Sequence, residues 1–226
     1  MRVSSARDNV LGRVRKALGK RERDAERIAV AEATIAAHAQ GPRPALAGDR
    51  VLRFMQRARD MESSVERLAE DAQIPAAVAR YLDSLQLSPA LSGQNSRAGV
   101  CWPEFAALDW AGAGLRIEAR PTQGDDRIGI TGAFCAIAET GTMVLLAGAD
   151  APTASALLPD THVAILPASR IVDGMEDAFA RIRDERGVLP RAVNLISGPS
   201  RTGDIEQTIV LGAHGPFRVH VLVVDR

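Results

Sequence analysis

The chain has 226 residues, 46% hydrophobic and 25% charged, and its 28 basic and 28 acidic side chains leave no net charge. This length and composition predict a globular protein with a sizeable core and no overall electrostatic attraction to nucleic acid. No apolar run reaches the roughly 18 residues that span a bilayer, and the amino terminus lacks the apolar segment of a signal peptide, so we expect a cytoplasmic protein without a membrane span.

Residues 1–44 are predicted to form a helical arm. Apolar residues recur at helical spacing over 10–18, and the alanine-rich segment 25–39 continues as a second helix before Gly41-Pro-Arg-Pro44 ends the pattern. Nine basic and four acidic side chains fall within residues 1–30, which suits an acidic partner, nucleic acid or an ordinary solvated face. The apolar face of this arm should be buried, either against the body or against another subunit. A homo-oligomer is therefore one of the alternatives.

Residues 45–226 are predicted to form one α/β domain, built as a layered sandwich. Helical spacing predicts helices at 49–61, 75–85, 104–110 and 171–186. Short apolar runs predict strands at 64–68, 100–102, 128–131, 134–138, 142–146, 162–166, 193–196 and 219–224. The last two runs are apolar enough for buried, central strands, and the alternation of strands with helices indicates the α/β class.

Cysteine usage argues against a metal centre held by this chain alone. Cys101 and Cys135 are the two cysteines, and they are far apart in the sequence. An iron-sulfur cluster usually takes about four thiolates, and structural zinc takes a tetrahedral set of Cys or His. We therefore predict no metal or cofactor bound by this chain alone, and we expect Cys135, inside an apolar run, to be a small core residue.

Three motifs occur in a fixed order in the last half of the chain. They are Ala138-Glu-Thr-Gly-Thr142, Ser197-Gly-Pro-Ser-Arg-Thr202 with Asp204-Ile-Glu206, and Gly212-Ala-His-Gly-Pro216. Together they resemble the LUD-domain family, in its lactate utilisation protein C branch, and the resemblance runs from about Thr122 to Asp225. One departure is Phe134, which stands where many members of the family carry an acidic residue.

The resemblance implies both a fold and a process. The sheet should be similar to those of the ribose-phosphate isomerase, glucosamine-phosphate deaminase and CoA-transferase group. The protein should be a component of a system that oxidises L-lactate to pyruvate, together with partner proteins that carry iron-sulfur clusters. It should bind a small anionic ligand where the motifs converge, and we expect that Thr131 and Gly132 line the same crevice.

Glu139 is the first candidate for chemistry. Its carboxylate follows six apolar or small residues, so it must find hydrogen-bond donors or stay protonated, because burying an unpaired charge is costly. Thr140, Gly141 and Thr142 offer local donors. The residue could act as a general base, or as a nucleophile like the glutamate of the CoA-transferase relatives of the fold; alternatively, it only holds a hairpin.

The Ser-Gly-Pro-Ser-Arg-Thr segment is predicted to bind an anion. It follows a strand, where open α/β sheets place ligand crevices. Its glycine lets the backbone approach a ligand, its hydroxyls donate hydrogen bonds, and its arginine offers a planar fork to a carboxylate or phosphate. A purely structural turn is the alternative. The predicted residues are Ser197, Gly198, Ser200, Arg201, Thr202 and Asp204.

His214 lies among glycines and a proline, where it could exchange protons near neutral pH or bind an anion. His162 and His220 lie inside predicted strands and are expected to be structural. Two further functions stay open. The chain could be a stand-alone isomerase, deaminase, transferase or cyclo-ligase acting on a phosphate- or carboxylate-bearing metabolite, or a non-catalytic scaffold with a vestigial pocket.

Overall fold

The computed structural model describes residues 5–19, 25–85, 96–203, 210–212 and 214–226. The chain divides into two compact units, Met1–Pro44 and Ala45–Arg226. The first unit holds helices α1 (Ala6–Ala17) and α2 (Ala25–Ala37), close to their predicted positions. Helix α1 begins with a capping box, in which the Ser5 hydroxyl accepts a 3.2 Å hydrogen bond from the backbone nitrogen of Asp8.

The second unit contains the other elements of the described residues. The helices are α3 (Arg50–Asp60), α4 (Ile74–Ser84), α5 (Ala154–Leu157) and α6 (Met175–Arg186). The strands are β1 (Ser64–Leu68), β2 (Ala98–Cys101), β3 (Arg116–Ala119), β4 (Ile128–Gly132), β5 (Cys135–Ile137), β6 (Thr142–Leu146), β7 (Thr161–Pro167), β8 (Ile171–Val172), β9 (Val193–Ile196), β10 (Arg201–Thr202), β11 (Val210–Leu211) and β12 (Arg218–Val224).

Six parallel strands form the main sheet, in the order β1-β12-β7-β4-β2-β3. Strand β12 lies between two neighbours and is buried along nearly its whole length, as its apolar run predicts. Because all six strands run in the same direction, their carboxyl ends meet at one edge of the sheet. Such an edge is where open α/β sheets bind ligands.

A second sheet of four strands has the order β8-β5-β6-β9. Strands β5 and β6 form the predicted antiparallel hairpin around Gly141, which has a φ of +69°. Strand β9 lies at the edge of this sheet with Leu195 exposed, so the prediction of a buried, central strand is wrong for residues 193–196. The segment that follows β9 therefore does not leave the carboxyl edge of the parallel sheet.

Two helical predictions need correction. Residues 171 and 172 form strand β8, paired with β5, and helix α6 begins only after Gly174, whose backbone nitrogen donates a 2.9 Å hydrogen bond to the Asp177 carboxylate. Residues 104–110 contain no α-helix, only a 3₁₀ turn at Pro103–Phe105. Both segments carry apolar residues that tertiary contacts bury in non-helical form.

Helix α3 ends in a Schellman motif, which matters for the site. The backbone nitrogen of Glu62 donates to the carbonyl oxygen of Arg59, and that of Ser63 donates to the carbonyl oxygen of Ala58, at 2.8 and 2.9 Å. Glu62 adopts the left-handed conformation that this motif requires, with a φ of +65°. Neither of these two hydrogen bonds is accepted by the carbonyl group of Met61, the C-cap residue.

The core has two parts. The larger combines residues of the parallel sheet with residues of α3, α4 and α5, and the smaller combines the four-stranded sheet with α6. Cys135 lies in the smaller part, as predicted, and Cys101 lies in the larger; burial raises the pKa of each thiol to about 11. The observed fold confirms the predicted α/β class, with a parallel central sheet covered by helices.

Candidate ligand-binding site

A cavity of about 810 Å³ opens at the carboxyl edge of the parallel sheet. It is referred to below as the carboxyl-edge pocket. Residues that follow or end strands β2, β4, β7 and β12 form its walls, together with the loop after β6 and the end of α6. The side chains that give the pocket its chemical character are Trp102, Glu104, Phe134, Asp150, Arg170, Arg186 and Arg226.

Three arginines give the pocket its positive charge. Arg170 pairs with Glu185, and Arg226 pairs with Asp71 at 3.2 Å. Among the described residues, no carboxylate forms an ion pair with Arg186. The guanidinium carbons of Arg170 and Arg186 lie 5.1 and 5.6 Å from the ring centroid of Phe134, close enough for cation–π attraction. The pocket therefore holds at least one guanidinium group that is available to an anion.

Glu104 is a carboxylate that lines the same pocket. It lies in the 3₁₀ turn after β2, and its side-chain oxygen Oε1 rests against Gly132, the last residue of β4. A side chain at position 132 would overlap with this oxygen, so the glycine makes room for the carboxylate. Partial desolvation raises the pKa of Glu104; the nearby Arg226 opposes this effect and Asp71 adds to it.

Glu139, the first predicted catalytic residue, lies at the tip of the β5–β6 hairpin and is half-buried. Its backbone nitrogen donates a 3.0 Å hydrogen bond to the carbonyl oxygen of Asp173. No described residue hydrogen-bonds its carboxylate, and it does not line the carboxyl-edge pocket. Gly141, at the same tip, packs against the backbone of Arg57 and Ala58 in helix α3. A role for Glu139 in catalysis stays a prediction.

The hairpin and the Ser-Gly-Pro-Ser segment are brought together, as the family resemblance implies. The hydroxyl groups of Thr140, Thr142 and Ser197 form a chain with two 2.7 Å contacts, one from Thr140 to Thr142 and one from Thr142 to Ser197. Thr142 is buried and Thr140 is exposed, so this chain leads from the core to the surface. It ties strand β6 to the residue that follows β9.

Gly198 and Arg201 have protein partners in this structure. A side chain at position 198, where φ is +79°, would overlap with the carbonyl oxygen of Met61. The Arg201 guanidinium donates a 2.9 Å hydrogen bond to that same carbonyl group, and it lies 3.3 Å from the carboxylate of Glu62. The glycine and the arginine thus bind the end of helix α3. Binding of an anion by this segment stays a prediction.

His214 packs beside the same segment. Its backbone nitrogen donates to the Ser200 hydroxyl at 3.4 Å, and the backbone nitrogen of Ser200 donates to the carbonyl oxygen of Pro216 at 3.0 Å. The imidazole is exposed, whereas Thr202 is buried. Asp204 lies outside the described residues. Three of the predicted segments therefore meet near the end of α3, on a surface that we call the motif surface.

Thr131 and Gly132 do not lie on the motif surface. Thr131 is fully buried, and its hydroxyl contacts the ring nitrogen Nε2 of His162 at 2.8 Å. Gly132 lines the carboxyl-edge pocket, whereas the residues of the motif surface do not. The structural role predicted for His162 and His220 is confirmed, since both are buried in strands and burial lowers the pKa of each to about 4.

The sequence reasoning missed the charged residues of the carboxyl-edge pocket. Glu104, Arg170 and Arg226 each follow closely after an apolar strand, which is the signal that could have identified them. Arg186 ends helix α6 and carries no such signal. Within the described ranges, no three His, Cys, Asp or Glu side chains group as metal ligands, and no helix is long and apolar enough to cross a membrane.

The fold and the pocket together define an α/β protein with a charged cavity at the carboxyl edge of a parallel sheet. Residues 53–224 match the family model described as the LUD domain, and the chain belongs to this family. This confirms the resemblance indicated by the three motifs.

Curated relatives match about half of the chain. A lactate utilization protein C of Bacillus licheniformis is 37% identical over 130 residues, which cover 55% of this chain and 53% of that protein. The lactate utilization protein C of Bacillus subtilis is 43% identical over 103 residues, which cover 44% and 43%. The chain spans about half the length of the curated relatives that it matches.

A solved structure supports the fold alone. The crystal structure of a DUF162 family protein from Deinococcus radiodurans superposes with a TM-score of 0.55, at 24% sequence identity. The match covers 80% of this chain and 99% of the other.

Proposed function

We propose that this protein is a component of an L-lactate utilisation system and that it binds a small carboxylate ligand, such as L-lactate or pyruvate, in the carboxyl-edge pocket. The observation that carries the proposal is the convergence of Arg170, Arg186 and Arg226 on one cavity. A guanidinium group binds a carboxylate through two parallel hydrogen bonds. The names of the curated relatives support the same process.

The size of the pocket bears on what it holds. Cavities of roughly 300–1,000 Å³ enclose drug-sized ligands, and this one measures about 810 Å³. A three-carbon acid would fill only part of that volume. We propose that the acid binds among the three arginines and that the remaining space, bounded by Trp102, admits a second reactant or a bulkier anion.

Titration of the protein with L-lactate, pyruvate and inorganic phosphate, followed by NMR, tests this function. We expect saturable binding by the wild type and a loss of about tenfold in affinity for Arg186→Ala, because one charge-assisted contact is removed. Arg183→Ala is the matched control, since Arg183 lies on the same helix but does not line the pocket. Equal affinities for both variants would rule out this assignment of the site.

Iron-sulfur proteins are the partners in this proposal. The two cysteines of the chain are buried, and two thiolates fall short of the four that a cluster usually takes, so the redox step is assigned to partners. Anaerobic isolation from the native cells through a mild affinity tag tests this. We expect iron-sulfur absorbance and L-lactate-dependent dye reduction in the eluate. A colourless, inactive eluate would favour a stand-alone enzyme.

The helical arm is proposed to dock such a partner. Helices α1 and α2 contain no buried residue, and Val14 and Leu18 are 48% and 64% exposed in a segment rich in arginine. We expect Val14→Asp with Leu18→Asp to reduce co-isolation of the partners without changing the stability of the body. Leu52→Asp, on the exposed side of α3, is the control. Unchanged co-isolation would remove the arm from the interface.

We also propose that the motif surface contacts a partner protein. Glu139 and His214, which lie on this surface, are the candidates for proton transfer. The protein partners of Gly198 and Arg201 support a structural contribution as well. Glu139→Ala and His214→Ala separate the two roles. Loss of lactate oxidation with the complex still assembled would support catalysis, and full activity would support the scaffold interpretation.

A further inference from the structure

We infer that Glu104 binds the anionic ligand of the carboxyl-edge pocket in its protonated form, taking up one proton from solvent for each anion bound. This inference rests on the proposed function, because it concerns a ligand of the same pocket. It assigns the acid–base group of that pocket to a residue outside all three sequence motifs.

The position of the carboxylate is the first argument. Glu104 lines the cavity, and its oxygen Oε1 occupies the space that Gly132 leaves at the end of β4. The ring of Phe105 lies on the same side, 3.6 Å from the place where a Cβ of residue 132 would be, and the buried Trp102 forms part of the wall. Glu104 itself is exposed, so its carboxylate borders apolar surface on one side and faces the ligand space on the other.

The charge balance around Glu104 is the second argument. Arg226, at the end of β12, is the cation close to it, but this arginine also pairs with Asp71 at 3.2 Å. One guanidinium thus serves two carboxylates. The charged groups that face the pocket from the other surrounding elements are Asp150 after β6, Arg170 after β7 and Arg186 on α6.

An anion that enters this pocket adds a third negative charge near Arg226. Like charges at short range disfavour joint ionisation, so binding of the anion favours protonation of one of the carboxylates. Desolvation already raises the pKa of Glu104, which makes it the group that takes the proton. Protonated Glu104 then gains an O–H that donates a hydrogen bond to the ligand carboxylate, and that proton is positioned for transfer to the ligand.

The affinity for L-lactate, measured by NMR from pH 5.5 to 8.5, tests the inference. Linkage predicts that wild-type affinity falls by up to tenfold per pH unit over this range, because each binding event consumes a proton. Glu104→Gln mimics the protonated acid, so we expect it to keep the low-pH affinity throughout. Glu118→Gln, an exposed residue of β3 outside the pocket, should behave as wild type.

A second readout does not depend on a variant. The carbon-13 resonance of the Glu104 carboxyl group should move to its protonated position when L-lactate is added at pH 7. Binding without that shift, or a pH-independent affinity of the wild type, overturns the inference and leaves the proposed function intact. If L-lactate, pyruvate and phosphate all fail to bind the wild type, the proposed function and this inference fall together.

Discussion

The guanidinium group of Arg201 donates a 2.9 Å hydrogen bond to the carbonyl oxygen of Met61, the C-cap residue of helix α3. The Schellman motif at this helix end leaves that carbonyl group outside its own pattern of bonds. A cation near the carboxyl terminus of a helix also interacts favourably with the helix dipole. The arginine of the Ser-Gly-Pro-Ser-Arg-Thr motif therefore stabilises the contact between α3 and the segment that follows β9.

Replacing this arginine should lower the stability of the fold. We expect Arg201→Ala to reduce the free energy of unfolding by about 1–2 kcal/mol, because a charge-assisted hydrogen bond to a carbonyl group is lost. Urea denaturation measures the change. Arg191→Ala, an exposed arginine before β9, is the matched control. If the two variants are equally stable, the contact contributes nothing measurable.

Gly198 should tolerate no side chain. An alanine there would overlap with the carbonyl oxygen of Met61 and would adopt a φ of +79°, so we expect Gly198→Ala to cost at least about 2 kcal/mol. Gly203→Ala is the control, since its added Cβ meets nothing within 4 Å and its φ is not positive. A thermal shift as small as that of the control would contradict the close approach seen here.

Phe134 should decide how strongly the pocket attracts anions. Its ring lies beside two guanidinium groups, and an aspartate in its place would neutralise part of their charge. We expect Phe134→Asp to weaken L-lactate binding by about tenfold, whereas Phe134→Leu changes it little. NMR titrations of the two variants make the comparison. Equal affinities would show that the arginine charge does not govern binding.

Acid should destabilise the protein through two buried histidines. The pKa of His162 and of His220 is about 4 in the folded chain, against 6.5 for an exposed imidazole. The unfolded state therefore binds more protons between these values, and stability falls as the pH drops from 6.5 towards 4. Each histidine contributes up to about 3 kcal/mol to this loss.

Urea denaturation at several pH values measures this dependence. We expect His162→Gln and His220→Gln to flatten the decline between pH 6.5 and 4 relative to the wild type. His38→Gln, at an exposed position after helix α2, should leave the slope unchanged. If the two core variants show the full wild-type decline, other groups cause the acid sensitivity.

The thiols should be inert while the protein is folded. Cys101 and Cys135 are 1% and 0% exposed, and burial raises the pKa of each to about 11, so little reactive thiolate forms at pH 8. An aromatic disulfide reagent should react with neither thiol in buffer and with both in concentrated urea. Rapid reaction of the native protein would show that one cysteine is accessible.

The sequence determined the local elements and the family. Apolar runs predicted strands such as β1 and β12, because backbone pairing and side-chain alternation leave a periodic signal within a few residues. The three motifs identified the LUD-domain family, because their order and spacing are specific together. The family resemblance also implied that the motif segments converge, and the hydrogen bond between Thr142 and Ser197 joins two of them.

The tertiary structure decided which residues share a cavity. Glu104, Arg186 and Arg226 come from three distant segments, and only the strand order brings them to one edge of the parallel sheet. The apolar residues of strand β9 predict a central strand, yet the strand lies at the edge of the four-stranded sheet. Strand order depends on contacts between segments far apart in the chain, and local sequence patterns carry no record of those contacts.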